Sequence, residues 1–179
     1  MNWIDYKTQS QKTQSHEFFC DEKTQQLLHA VMGIITELEE LIEWDSDEVG
    51  KLEEIIDIFW YLAIIGREYN IDLPNTHDNN KNDDDIILGM YKDSSLLLDM
   101  LKKKIFYNKN ISESDFENKT IDIIKKSLNY LDNNNMDINV GFDTNIAKLK
   151  ARYGDKFTSD RAINRDLETE RKILESGNK

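Results

Sequence analysis

The chain has 179 residues and 21.1 kDa, enough for one domain with a genuine core or two small helical lobes sharing one. Seven glycines and a single proline, Pro74, are too few turn residues for an all-β sandwich or barrel, so an all-α chain is expected. A net charge of −12 opposes binding to nucleic acid unless the basic residues gather in one patch. Such a charge suits instead a chain that holds cations, mimics nucleic acid or stays highly soluble.

Residues 1–20 are polar with scattered Trp3, Tyr6, Phe18 and Phe19, and read as an arm or short helix. From about Asp21 to Trp44, Leu27, Val31, Ile34, Leu38 and Leu41 recur at helical spacing. Asp45, Ser46 and Asp47 offer a break and new N-caps. A second helix is predicted to about Tyr69 through Leu52, Ile55, Phe59, Leu62 and Ile65, followed by Pro74 and a polar linker over 75–85. A third helix is predicted over 84–106. Ser112 with Asp115 resembles a capping box opening a fourth, which continues through Leu131. An Asn-rich break precedes Asp143. The remainder reads as a helix to Tyr153, a turn at Gly154 and a charged helix after Thr158.

Two of these stretches look like copies of one helical hairpin, so the predicted architecture is a four-helix bundle of two repeated hairpins, a pseudo-dimer, with C-terminal helices added. Hairpin 1 covers about 21–73, hairpin 2 about 84–138 and the C-terminal segment about 142–176. Gly33 aligns with Gly89, 56 residues on, and Trp60-Tyr61-Leu62 with Asn129-Tyr130-Leu131, 69 residues on. No apolar run reaches the roughly 18 residues needed to span a bilayer, no signal peptide is evident, and the lone Cys20 cannot form an internal disulfide. No membrane partner and a cytoplasmic location are expected.

Chemistry is concentrated in the first hairpin. Glu37 and Glu40 are three apart on one predicted helix, and Glu54 and Asp57 three apart on the next. Residues at i and i+3 share a face, with Cβ atoms about 5–6 Å apart. Helices joined by a short connection pack antiparallel, which brings both pairs to one seam beside Leu38, Leu41, Ile55 and Phe59. Four carboxylates there repel unless a cation neutralises them, and hard oxygen donors suit Mg²⁺ or Mn²⁺. The bland alternative is a solvated acidic face, since Glu39, Glu43 and Glu53 make the whole stretch acidic. A di-iron carboxylate bundle needs Glu-x-x-His, which neither pair has. Further on, Asn145, Lys148 and Arg152 fall at i, i+3 and i+7 of one helix, with Tyr153 beside them. A cationic stripe with an amide and a tyrosine is what a polyphosphate needs next to its metal.

Together these segments resemble the MazG-like nucleotide pyrophosphohydrolases of the all-α NTP pyrophosphatase superfamily, relatives of the dimeric dUTPases. The residues concerned are Glu37-x-x-Glu40, thirteen residues, Glu54-x-x-Asp57, with His29-Ala-Val-Met-Gly33 before and Trp60-Tyr61-Leu62 after. Asn145-Ile-Ala-Lys148-Leu-Lys-Ala-Arg152-Tyr153, Phe157 and the run from Arg161 through Arg165 to Arg171 extend the likeness. The resemblance implies Mg²⁺-dependent hydrolysis of a nucleoside triphosphate to the monophosphate and pyrophosphate, with a homodimer possible. Glu37, Glu40, Glu54 and Asp57 would ligate the metal, with Glu37 as the group taking a proton from water. Asn145, Lys148, Arg152 and Tyr153 would hold the phosphates, and His29, Trp44, Trp60 and Tyr61 are candidates for base or sugar contacts. The competing class is a non-catalytic acidic interaction protein, a nucleotide sequestrant or nucleic-acid mimic. Two departures stand out. Glu39 and Ile56 occupy positions where relatives often carry glycine, and the basic text Lys102-Lys103-Lys104-Ile105-Phe106-Tyr107 lies in hairpin 2 rather than between the acid pairs. Packed pseudo-symmetrically, the second hairpin would lend Lys104 and Tyr107 to the first hairpin's site.

Overall fold

The structure is a computed structural model that describes residues 1–44, 47–75, 82–154 and 156–177. The break expected at Asp45–Ser46 and most of the linker after Pro74 lie outside the described residues. Eight α-helices and one 3₁₀ turn are present among those described: α1 (Trp3–Ser10), the turn Gln11–Thr13, α2 (Glu22–Glu43), α3 (Glu48–Tyr69), α4 (Asp83–Tyr107), α5 (Glu113–Asn133), α6 (Ile138–Tyr153), α7 (Ser159–Ile163) and α8 (Leu167–Gly177). No described helix is long and apolar enough to cross a membrane.

Each bundle helix starts where the chain supplies a capping side chain. Asp21, Asp47, Asn82 and Ser112 accept from backbone N–H groups in the first turns of α2, α3, α4 and α5. Asp137 does the same for α6, so this helix begins at Ile138 and absorbs the break expected before Asp143. The single charged helix expected after Thr158 is two, separated around Asn164.

Hairpins α2–α3 and α4–α5 pack with α2 on α4 and α3 on α5, which makes the four-helix bundle. Tyr91 Oη donates to Glu39 at 2.7 Å near one end of the α2–α4 seam, and Phe19 N donates to the Ile105 carbonyl at 2.8 Å near the other. These two helices are therefore antiparallel. Leu27, Ile34, Leu38, Ile55, Ile58, Leu62, Met90, Leu97, Phe116 and Ile123 fill one continuous core. Burying such side chains contributes about 1.5–3 kcal/mol each. α6 lies against α3, and α8 against α6, so the C-terminal segment roofs one face of the first hairpin.

The repeat is present, with a different register in its second half. Gly33 lies under the Tyr61 ring, and its counterpart Gly89 lies under the Lys126 side chain. Asn70 and Asn135, both left-handed with φ 53°, each follow the end of the second helix of their copy. The Ile71 N–H bonds the Gly66 carbonyl just as the Met136 N–H bonds that of Leu131. Tyr61 and Lys126, Gly66 and Leu131, Asn70 and Asn135, and Ile71 and Met136 are each 65 residues apart, not 69. Glu54 therefore corresponds to Lys119, Asp57 to Asp122 and Tyr61 to Lys126. The aromatic residues of α3 and α5 do not correspond, because Tyr130 is a core residue, whereas Tyr61 borders the cavity described next.

Candidate functional site

α2 and α3 run antiparallel with Gly33 against Tyr61 and Trp44 against Gly50. Between these two contacts the register brings Glu37 opposite Asp57. Carboxylate oxygens of Glu37, Glu54 and Asp57 all lie within 4.8 Å of one another. Glu40, expected as the fourth member, is exposed; it borders the same cavity but stays outside that group. Its place one turn further toward the end of α2 explains the difference.

The cluster forms one wall of a cavity of about 590 Å³ roofed by α6 and α8. His29, Trp60, Tyr61, Tyr153 and Phe157 lie along it, as do Arg152, Arg165 and Arg171. Tyr61 is edge-on to both His29 (5.5 Å between centroids) and Trp60 (5.0 Å), while Tyr153 and Phe157 pair at 5.1 Å. Trp44 closes the other end and donates its indole N–H to Glu54 Oε1 at 2.9 Å.

Without a cation, burial and mutual repulsion oppose ionisation of this group at neutral pH. Burial, then the Asp57 charge, pushes the Glu37 carboxyl up to about 7. Burial, then Glu53, pushes Glu54 up to about 9, and the Glu37–Glu54 hydrogen bond lets the pair hold a proton between them. Burial and the same carboxylates raise the Tyr61 hydroxyl to about 12, so Tyr61 is a neutral donor here. A divalent cation would take over what that proton does.

Two residues expected at the substrate have another place. Asn145 and Lys148 are buried and face α3 rather than the cavity. Asn145 Nδ2 donates to Asp57 Oδ1, and the Lys148 ammonium, 0% exposed, bonds Asp57 Oδ2 at 2.6 Å and Glu53 at 3.0 Å. Burial lowers the Lys148 pKa, but Asp57 and Glu53 outweigh it and the net shift is upward. These two residues fix the Asp57 rotamer from behind, as second-layer groups do for metal ligands. They share a helical face with Arg152, as the spacing predicts, but only the final turn of α6 reaches the cavity.

Lys104 and Tyr107 do not reach the site. They lie at the end of α4, beside the start of α2. The carboxyl of Asp21, the N-cap of α2, is held low mainly by Thr24, with Lys104 adding to it. Glu37 is sixteen residues along the same helix, about 24 Å at about 1.5 Å per residue. Tyr107 is 66% exposed. Antiparallel packing of α2 and α4 sends this basic segment to the opposite end of the bundle, so it lends nothing to the acid cluster.

The second hairpin shows what the same frame does with its own cation. Asp93 matches Glu37, and Asp122 matches Asp57, but Glu54 is replaced by Lys119. That lysine bridges Asp93 at 3.2 Å and Asp122 at 2.9 Å, while Lys126 binds Asp93 at 2.6 Å. Ammonium groups compensate this copy internally. At the first hairpin the buried ammonium of Lys148, supplied by α6, lies behind Asp57 rather than between Glu37 and Glu54, so the all-oxygen donor set there fits a hard divalent ion.

Glu53 and Glu170 were not singled out by the sequence. Glu170, 3% exposed, accepts from Arg152 at 2.8 and 2.5 Å and from Arg165 at 3.2 and 2.7 Å. Arg171 pairs with Asp47 at 2.8 Å. No spacing rule connects Arg152 with a residue eighteen positions later across two turns. Comparison with protein families, curated proteins and solved structures finds no match for this chain.

Proposed function

We propose that the chain is a Mg²⁺-dependent hydrolase that converts a nucleoside triphosphate to its monophosphate and pyrophosphate. The observation that carries this reading is the opposition of charges across one cavity, with Glu37, Glu54 and Asp57 on one wall and Arg152, Arg165 and Arg171 on the other. A polyphosphate needs both a cation and fixed positive donors, whereas a surface that mimics nucleic acid would spread its acids outward. The resemblance of the acid pairs and the Asn145–Tyr153 segment to MazG-like enzymes supports the same assignment. When bound, Mg²⁺ supplies Lewis acidity toward phosphate oxygens.

The chain's own residues do the rest. Glu37, Glu54 and Asp57 would hold the cation, with Asn145 and Lys148 keeping Asp57 in its rotamer. Glu37, which lines the cavity within this group, would accept the proton of the attacking water. Arg152 and Arg165 neutralise the outer phosphates. Trp60, Tyr61, Tyr153 and Phe157 give a base or sugar an apolar surface and exclude water.

A panel of ribo- and deoxyribonucleoside triphosphates incubated with Mg²⁺, assayed for pyrophosphate and orthophosphate separately, tests this. Pyrophosphate release from at least one member is expected. Orthophosphate alone would mean a different phosphohydrolase, and no hydrolysis of any member would favour a non-catalytic acidic protein.

A further inference from the structure

The Arg152–Glu170–Arg165 cluster has a property that simple charge neutralisation does not need. Glu170 is almost fully buried, yet it borders the cavity together with both arginines it binds. It takes Nε and one terminal nitrogen from each guanidinium, so both forks are held edge-on to a single carboxylate. The arginines come from different elements, Arg152 from the last turn of α6 and Arg165 from the segment between α7 and α8. Glu170, on α8, ties the two together.

Two guanidinium groups against one carboxylate leave a net positive charge, and each keeps N–H groups that Glu170 does not use. Arg152 is also stacked near the Tyr153 ring at 5.6 Å, which limits its swing. We infer that Glu170 is a positioning residue that holds Arg152 and Arg165 as a preformed two-arginine cradle for the outer phosphates, the part of the substrate that leaves as pyrophosphate. This rests on the proposed function for its substrate, but the cradle itself is a statement about anion binding. A fork already oriented loses less entropy when it binds an anion than a free arginine does.

The sign of the effect separates positioning from charge. Removing a negative charge beside an anion site strengthens anion binding if the charge acts only by repulsion. If Glu170 positions the arginines, Glu170→Gln weakens binding although it removes that charge. Inorganic pyrophosphate at fixed Mg²⁺, titrated calorimetrically into the full chain, is the probe. The wild type is expected to bind it, and Glu170→Gln to bind at least tenfold more weakly, with KM for the nucleotide rising more than kcat falls. Unchanged or tighter binding by Glu170→Gln would overturn the inference, as would a wild type that does not bind pyrophosphate.

If Glu170→Gln releases α8 and cannot be measured, Arg165→Lys keeps the charge and the Arg152–Glu170 pair but loses one fork. It is also expected to bind at least tenfold more weakly, and unchanged affinity there would equally overturn the cradle. Pyrophosphate binding that depends on Glu170 in a chain that hydrolyses no nucleotide would leave the cradle standing and remove the proposed reaction.

Discussion

Replacing Lys148 with Met tests how the acid cluster is held. The substitution keeps most of the stem's volume and removes an ammonium that is 0% exposed and bonds Asp57 at 2.6 Å and Glu53 at 3.0 Å. Breaking a buried pair from one side costs about 3–5 kcal/mol because a charge is left uncompensated. The Asp57 and Glu53 side chains retain 23% and 14% exposure, so water recovers part of this, and we expect a loss of about 2–3 kcal/mol. At about 2–4 °C per kcal/mol for a chain of this size, the melting temperature should fall by about 4–12 °C. Circular dichroism melts at 222 nm in EDTA measure this directly. Repeating them with Mg²⁺ should return more of the loss to the variant than wild type gains, because Asp57 then has no competing cation. A melting temperature equal to wild type in EDTA would refute the argument that Lys148 neutralises the cluster from behind.

Three further outcomes are expected. The raised Glu37 and Glu54 carboxyls bind protons in the fold that an ordinary carboxyl near 4.5 has already lost, so the metal-free protein should be most stable near pH 5. Its stability should fall as pH rises above about 4.5, most steeply up to about 7 and then less so until about 9, and urea melts of Glu54→Gln should show a flatter slope. Gly33→Val should cost about 1–3 kcal/mol in thermal melts, because its side chain would overlap the Tyr61 ring and push it into the cavity. Glu40→Ala should retain much more turnover than Asp57→Ala in the same pyrophosphate-release assay, since Glu40 stands outside the three-carboxylate group.

Most of the helical frame was legible in the sequence, because apolar spacing and capping side chains are local signals. Asp21, Asp47 and Ser112 mark helix starts that the structure keeps, and the i,i+3 spacing of the acids is enough to place them on one seam. What spacing does not give is the neighbour that covers a face. Asn145, Lys148 and Arg152 do share a stripe, but α3 covers its first two members and the cavity receives only the third. Register between the repeats is hidden for a related reason, since Tyr61 and Tyr130 are alike in type but Tyr130 is buried in the core and Tyr61 is half-buried at the cavity. The placement of Lys104 and Tyr107 at the far end follows from antiparallel packing of α2 on α4, a long-range choice that no local pattern encodes.

Whether Glu37, Glu54 and Asp57 hold a divalent cation is decided by a calorimetric Mg²⁺ titration of wild type beside Asp57→Asn. Wild type should bind Mg²⁺ at one site per chain, in the range of roughly submillimolar to millimolar. That site should be lost in Asp57→Asn, whose helical fold stays intact in EDTA because Glu53 still pairs the Lys148 ammonium and one of the clustered carboxylate charges is gone. A wild type indifferent to Mg²⁺, or a variant that binds it equally well, would contradict the account.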